Sequence, residues 1–224
     1  MHHPDRPRTA TGRCWPMLVA MLLLVWAGPV GAQNRAGEFD HYILALTWMP
    51  AFCRLEGASR GDERCAQGRR AGWMVHGLWP QHPGGAWPEY CPTAQPAPSR
   101  AQTAAQAGLY GSSGAAWHQW NKHGRCTGLS AADYYALTRA ALARLALPEV
   151  FERVDRPLRL APQVIEDAFI EANPALSPAM MVTSCREGLL VELRLCLTRD
   201  LQPRACDVAV RSCPLRAADL LPLR

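Results

Sequence analysis

Two histidines, a lysine and a carboxamide lie within six residues in the run Trp117-His118-Gln119-Trp120-Asn121-Lys122-His123-Gly124-Arg125-Cys126. Lys122 is the only lysine among the 24 lysines and arginines of the chain. A sequence that otherwise uses arginine and keeps one lysine beside a histidine points to a compact ammonium at that place rather than a broad guanidinium fork. In a helix, His118 and Lys122 share a face, and so do Gln119 and His123, because side chains four apart are neighbours. The two pairs are adjacent, so all four side chains can enter one cleft. Gly124 suits the helix end, and Cys126 offers a covalent tether. The partner on a second segment is His76, in Trp73-Met74-Val75-His76-Gly77-Leu78-Trp79-Pro80. Two histidines on separate elements, one neutral and one protonated, make a general base and a general acid near neutral pH. A lysine with a third histidine can hold a phosphate. Together these groups suffice to cleave a phosphodiester without a metal.

The nucleobase of such a substrate needs flat apolar surfaces and a polar edge reader. Trp79, Gln81 and Trp87, in and around the Pro- and Gly-rich stretch from Pro80 to Pro98, are the candidates, with Trp120 as a further substrate contact. That stretch reads as a loop, and loops beside a rigid site often carry substrate contacts. His82 is expected to be solvent-exposed and His41 to be a residue at a strand edge.

His76-Gly77-Leu78-Trp79-Pro80, followed by the second box from Trp117 to Cys126, resembles the two active-site boxes of the ribonuclease T2 family. The pattern Leu44-x-Leu46-x-Trp48-x-Pro50-x-Phe52-Cys53 resembles the family's first strand. The resemblance implies endoribonuclease action on single-stranded RNA through a 2′,3′-cyclic phosphate, with no cleavage of DNA, which lacks the 2′-hydroxyl. It implies His123 as the base, His76 as the acid, and His118 with Lys122 on the phosphate. Gln119 stands where the family usually has glutamate, Gln81 where aspartate is frequent, and Ala115-Ala116 where the approach to the second box is often aromatic. A relative that binds RNA or signals, its chemistry weakened by Gln119, is one alternative. A different metal-free phosphodiesterase is the other.

The positioning elements follow from the remaining pattern. Arg6, Arg8 and Arg13 precede an apolar run from Met17 to Ala27, and Val30-Gly31-Ala32 supplies small residues for cleavage, so residues 1–32 read as a secretory signal peptide. That places the mature protein, residues 33–224, in the periplasm or outside the cell, off the membrane. Removing residues 1–32 takes Arg6, Arg8, Arg13 and Asp5 from 24 basic and 19 acidic residues and leaves a net charge of +3. Such a charge is compatible with a polyanionic substrate without identifying it. The length suits one domain, expected as a monomer.

Cys14 departs with the signal, leaving eight cysteines, an even number that implies disulfides in an exported chain. Spacing alone leaves the pairing open. The family resemblance implies Cys53–Cys65, Cys91–Cys126, Cys185–Cys213 and Cys196–Cys206. A metal site is the rival use of these residues. His118 and His123, however, are five apart, a poor spacing for one ion on one helix face, and no paired CxxC occurs. No metal or cofactor is therefore expected.

Residues 33–40 read as a loose leader. His41–Met49 alternates as a half-buried strand. Residues 54–70 read as a surface loop, and 73–75 as a short strand delivering His76. Ser99 can cap a helix to Leu109, with a flexible break from Gly111 to Gly114. Ser130 caps the clearest long helix, running to Leu147, with Tyr134, Tyr135, Leu137, Ala141 and Leu145 as its apolar stripe. Pro148 can open a short helix and Pro162–Ala172 reads as another. Strands are expected at 179–184, 189–198 and 208–211, with Glu187-Gly188 turning between the first two. The fold class is α+β: a mostly antiparallel sheet with several helices packed to one side, stapled by disulfides.

Overall fold

The computed structural model describes residues 34–207 and 210–223. The expected signal peptide with Cys14, Gln33 of the expected leader, and Val208 and Ala209 of the last expected strand lie outside the described residues. Strand β1 (His41–Trp48) is the organising element. It pairs antiparallel with β2 (Trp73–Gln81) on one side and with β5 (Leu189–Leu197) on the other. Strand β4 (Met181–Arg186) forms a hairpin with β5. Glu187 (φ 52°) and Gly188 (φ 79°) turn that hairpin in the left-handed region, as a two-residue connection matched to strand twist requires. Two strands of three residues, β3 (Leu158–Leu160) and β6 (Ala218–Leu220), complete the sheet in the order β2-β1-β5-β6-β3. Among the described residues, only the β5–β6 contact is parallel. The α+β class with a mostly antiparallel sheet is therefore correct, although β3 and β6 are too short for their alternation to be read from sequence.

Tyr42, Leu44, Leu46 and Trp48 point from β1 into the main core. The helices supply the other side of that core: Leu109 and Tyr110 from α3 (Ala107–Tyr110), Ala116 and Trp120 from α4 (Ser113–Lys122), Tyr134 and Tyr135 from α5 (Ala131–Ala143), and Ile165 and Phe169 from α6 (Pro162–Ala172). The helices α1 (Met49–Phe52) and α2 (Arg100–Ala104) are short. Ser99 does cap α2, through a reciprocal capping box with Gln102, but the expected helix to Leu109 divides into α2 and α3. Ser130 caps α5, which ends at Ala143 rather than Leu147.

Several expectations change. The strand at 41–49 is buried on both faces, not one, because Ile43 and Ala45 meet Trp79 and the Cys196–Cys206 region on the second face. The strand carrying His76 is nine residues long and runs through Pro80 to Gln81. Proline is tolerated there because β2 lies at the sheet edge. The leader is docked over residues 34–40: Phe39 is buried against Tyr42, and Gly37 N donates to Cys126 O at 2.9 Å. The stretch 54–70 contains short helical turns at Cys53–Gly57 and Glu63–Cys65. Residues 210 and 211 are not in a strand. Among the described residues, four disulfides join the pairs that the family resemblance implies.

Candidate active site

Ser112 caps the start of helix α4, its side chain accepting from Ala115 N, and His123 caps the other end. Gly124 is needed at the exit for packing: a Cβ there would lie 2.6 Å from Tyr134 and 2.8 Å from Trp120. The Cys91–Cys126 disulfide and a 2.8 Å hydrogen bond from Tyr90 N to Lys122 O pin this end of the helix. His118, Gln119, Lys122 and His123 all line one cleft of about 230 Å³. His123 is only 6% exposed, and its Nδ1 is buried without a hydrogen-bond partner. Burial first, then the charges of Lys122, His76 and His118, push its pKa down to about 3. Burial, Lys122 and His76 likewise hold His118 below the ordinary histidine value.

The opposite wall is β2. His76 lies in the cleft with its side chain 43% exposed, and its Nδ1 is 2.6 Å from Glu192 Oε1. The second oxygen of Glu192 accepts from Arg194 Nε at 2.6 Å. Burial opposes charge on Glu192, yet the hydrogen bond and charge of His76, together with Arg194, hold its carboxyl below the usual range. An ionised carboxylate only accepts, so the His76 hydrogen sits on Nδ1 when the ring is neutral. Nε2 then remains for proton transfer.

Trp79 packs between the two histidines, with ring centroids 4.9 Å from His76 and 5.3 Å from His123. Its Nε1 donates to Gln119 Oε1 at 2.9 Å. Gly77 makes this contact possible, since a Cβ there would collide with Gln119 Oε1 and Trp79 Nε1. Gln81 and Trp87 also line the cleft. Gln81 Nε2 donates to Pro80 O at 2.9 Å, and Trp87 is 54% exposed.

Trp120 is a correction. It is 2% exposed, belongs to the core and does not reach the cleft. On α4 it lies opposite His118 and Lys122, so it supports the helix from behind. His82 is another correction, being half-buried with Nε2 enclosed and unpartnered. His41 is buried beside Asp40, with Nδ1 3.1 Å from its carboxylate. Among the described residues, no group of three or more His, Cys, Asp or Glu side chains is arranged to hold a metal ion.

The model of the ribonuclease T2 family matches residues 39–206. The chain belongs to the ribonuclease T2 family. It is similar to a ribonuclease of Aeromonas hydrophila, 41% identical over 122 residues that make up 54% of each chain. It is also similar to a probable ribonuclease of Haemophilus influenzae, 32% identical over 127 residues, 52% of this chain and 47% of that one. The matched segments thus span about half the length of these relatives. The fold resembles the RNase-related protein from Calystegia sepium, with TM-score 0.66 at 19% identity, covering 83% of this chain and 98% of that one. It also resembles trichomaglin, described as an S-like ribonuclease, with TM-score 0.63 at 25% identity and the same coverage.

Within this ribonuclease T2 fold, three charged groups around the cleft escape the two sequence boxes. Glu192 and Arg194 come from β5, far along the chain. Their signal was present in Leu189-Leu190-Val191-Glu192-Leu193-Arg194-Leu195, where two charged residues share one face of an apolar strand. Glu89 comes from the loop before Cys91 and approaches Lys122 to 3.4 Å. Nothing in its local sequence marks it.

Proposed function

We propose that the protein is an exported endoribonuclease that cleaves single-stranded RNA by transesterification, without a metal or cofactor. The observation that carries this reading is the convergence of His76, His118, Lys122 and His123 on one cleft walled by Trp79 and Trp87. His123 accepts the proton of the 2′-hydroxyl, and the 2′ oxygen attacks the adjacent phosphorus. The bond from phosphorus to the 5′ oxygen breaks, and His76 gives its proton to that oxygen. The products are a 2′,3′-cyclic phosphate and a 5′-hydroxyl. His118 and Lys122 hold the phosphate and offset charge developing on its oxygens. The depressed proton affinity of His123 keeps it neutral and ready as a base. The arriving phosphate counters the charge of Lys122 and raises that affinity when the proton must be taken. Trp87, 54% exposed, offers a stacking surface to an unpaired base, with Trp79 and Gln81 lining the same cleft. Residues 1–32 act as the export signal, and four disulfides suit an oxidising compartment.

The test is purified, oxidised protein with an end-labelled RNA oligonucleotide and its fully 2′-deoxy counterpart. The expected result is cyclic-phosphate ends from the RNA and an intact deoxy strand. Cleavage of the deoxy strand would replace this mechanism with that of another phosphodiesterase. A second reading, an RNA binder with weakened chemistry, draws on the neutral Gln119 and its engagement by Trp79. Tight RNA binding without turnover would favour it.

A further inference from the structure

Lys122 does not meet the cleft alone. Glu89 Oε2 lies 3.4 Å from its Nζ, and the same oxygen accepts a 3.3 Å hydrogen bond from Trp87 Nε1. One carboxylate oxygen therefore joins the sole lysine to an aromatic wall of the base pocket. An ion pair with side chains 31% and 39% exposed contributes little when two flexible chains must be held together. Here the backbone is already held. Glu89 N donates to Asn34 Oδ1 at 3.3 Å, Tyr90 N donates to Lys122 O at 2.8 Å, and Cys91 is bonded to Cys126. Tyr90 itself has φ 52°, a left-handed conformation that a non-glycine residue adopts only where its surroundings impose it. The segment that carries Glu89 is thus fastened to the same helix end that carries Lys122.

The charge around the cleft gives this contact a purpose. His76, His118, Lys122 and His123 are four groups able to carry positive charge, and after burial it is the charge of such neighbours that lowers the proton affinity of His118 and His123. A carboxylate beside Lys122 offsets part of that charge and fixes the long lysine stem. Position 119 on α4 holds an amide, with its oxygen committed to Trp79, so no negative charge comes from there. We propose that Glu89 is a positioning residue of this cleft, supplying from the Cys91 loop the negative charge that position 119 lacks, and holding Lys122 for the phosphate while tying it to Trp87. The proposal rests on the RNA-cleaving reading for its purpose, and on the Glu89 contacts for its geometry.

The experiment is a double-mutant cycle of Glu89→Gln and Gln119→Glu, with two readouts. Glu89→Gln keeps an acceptor for Trp87 and removes the charge. It is expected to lower kcat/KM on RNA about tenfold, mainly through kcat, as for the loss of one charge-assisted contact. Gln119→Glu should then recover most of that loss, a gain several-fold larger than it produces in the wild-type background. A purely structural role for Glu89 would not be rescued by a charge placed on another element. Equal effects of Gln119→Glu in the two backgrounds, or a Glu89→Gln rate within twofold of wild type, would overturn the proposal. The second readout is the titration midpoint of His118, followed by NMR in the free protein, which needs no turnover. Glu89→Gln should lower it and Gln119→Glu should bring it back. If the wild-type protein fails to cleave RNA, the cleavage reading falls, and the His118 titration alone decides on Glu89. A midpoint unmoved by Glu89→Gln would then reject it.

Discussion

The end of α4 and the middle of β2 each bring a histidine to the same cleft and treat it in opposite ways. His123 is enclosed, its Nδ1 has no partner, and cationic neighbours crowd it. His76 is half-exposed, and a buried carboxylate grips its Nδ1. One environment strips the proton away and the other gives the ring a fixed tautomer and an anionic partner. Acid–base chemistry needs this kind of asymmetry between two identical side chains. Neither environment is local: Lys122 sits next to His123 in sequence, but burial dominates its shift, and Glu192 is far from His76 in sequence.

The largest effects should come from removing either histidine. His123→Ala and His76→Ala are each expected to lower kcat by about 10²–10⁴-fold, the usual share of a general acid or base. Both variants should keep their far-UV circular dichroism and bind a 2′-deoxy oligonucleotide. Near-full activity in either one would break the assignment of roles.

Glu192→Gln sharpens the comparison from the β2 side. It preserves the acceptor for His76 while removing the charge, and it should cost about 10–100-fold in kcat, in line with the loss of a partner that orients a reacting group. His123 has no such partner, so no single substitution behind it should act in the same way. An unchanged kcat in Glu192→Gln would show that the carboxylate serves only packing.

Acid pH tests the environment of His123 through stability. The folded pKa of His123 is about 3, against 6.5 for an ordinary histidine. Between those values the unfolded chain binds a proton that the native state refuses. The stability tied to neutral His123 is therefore complete above about pH 6.5, and it is lost as pH falls towards 3, by up to about 1.4 kcal/mol per pH unit. Glu192 acts in the same direction, since its lowered pKa contributes stability that disappears as the carboxylate is protonated. Urea unfolding at pH 4, 5, 6 and 7 should show a shallower pH dependence in His123→Asn than in wild type. Parallel curves would mean that His123 accepts a proton in the folded state without cost.

The smallest expected effect is that of chelation. Because side chains hold the phosphate and move the protons in this scheme, EDTA should leave kcat/KM within twofold of its starting value. Loss of cleavage that a divalent ion restores would displace the two-histidine mechanism.

Sequence alone carried the local part of this protein. The helical spacing of His118, Gln119, Lys122 and His123, the lone lysine, the Ser130 cap and the Glu187-Gly188 turn are all decided within a few residues, where helix geometry and turn chemistry act directly. The two boxes and the cysteines were enough to recognise the family. Tertiary structure decided what depends on neighbours distant in the chain. Trp120 looks like its neighbours in the box yet turns to the core, because its place on α4 faces Tyr134 across Gly124. Strand β1 alternates as if one face were wet, but the Cys196–Cys206 segment covers that face. Arg194 reaches the cleft, Glu192 reaches His76 and Glu89 reaches Lys122 only through sheet register and a disulfide. Periodicity reports which face a side chain takes on its own element; only packing reports what that face meets.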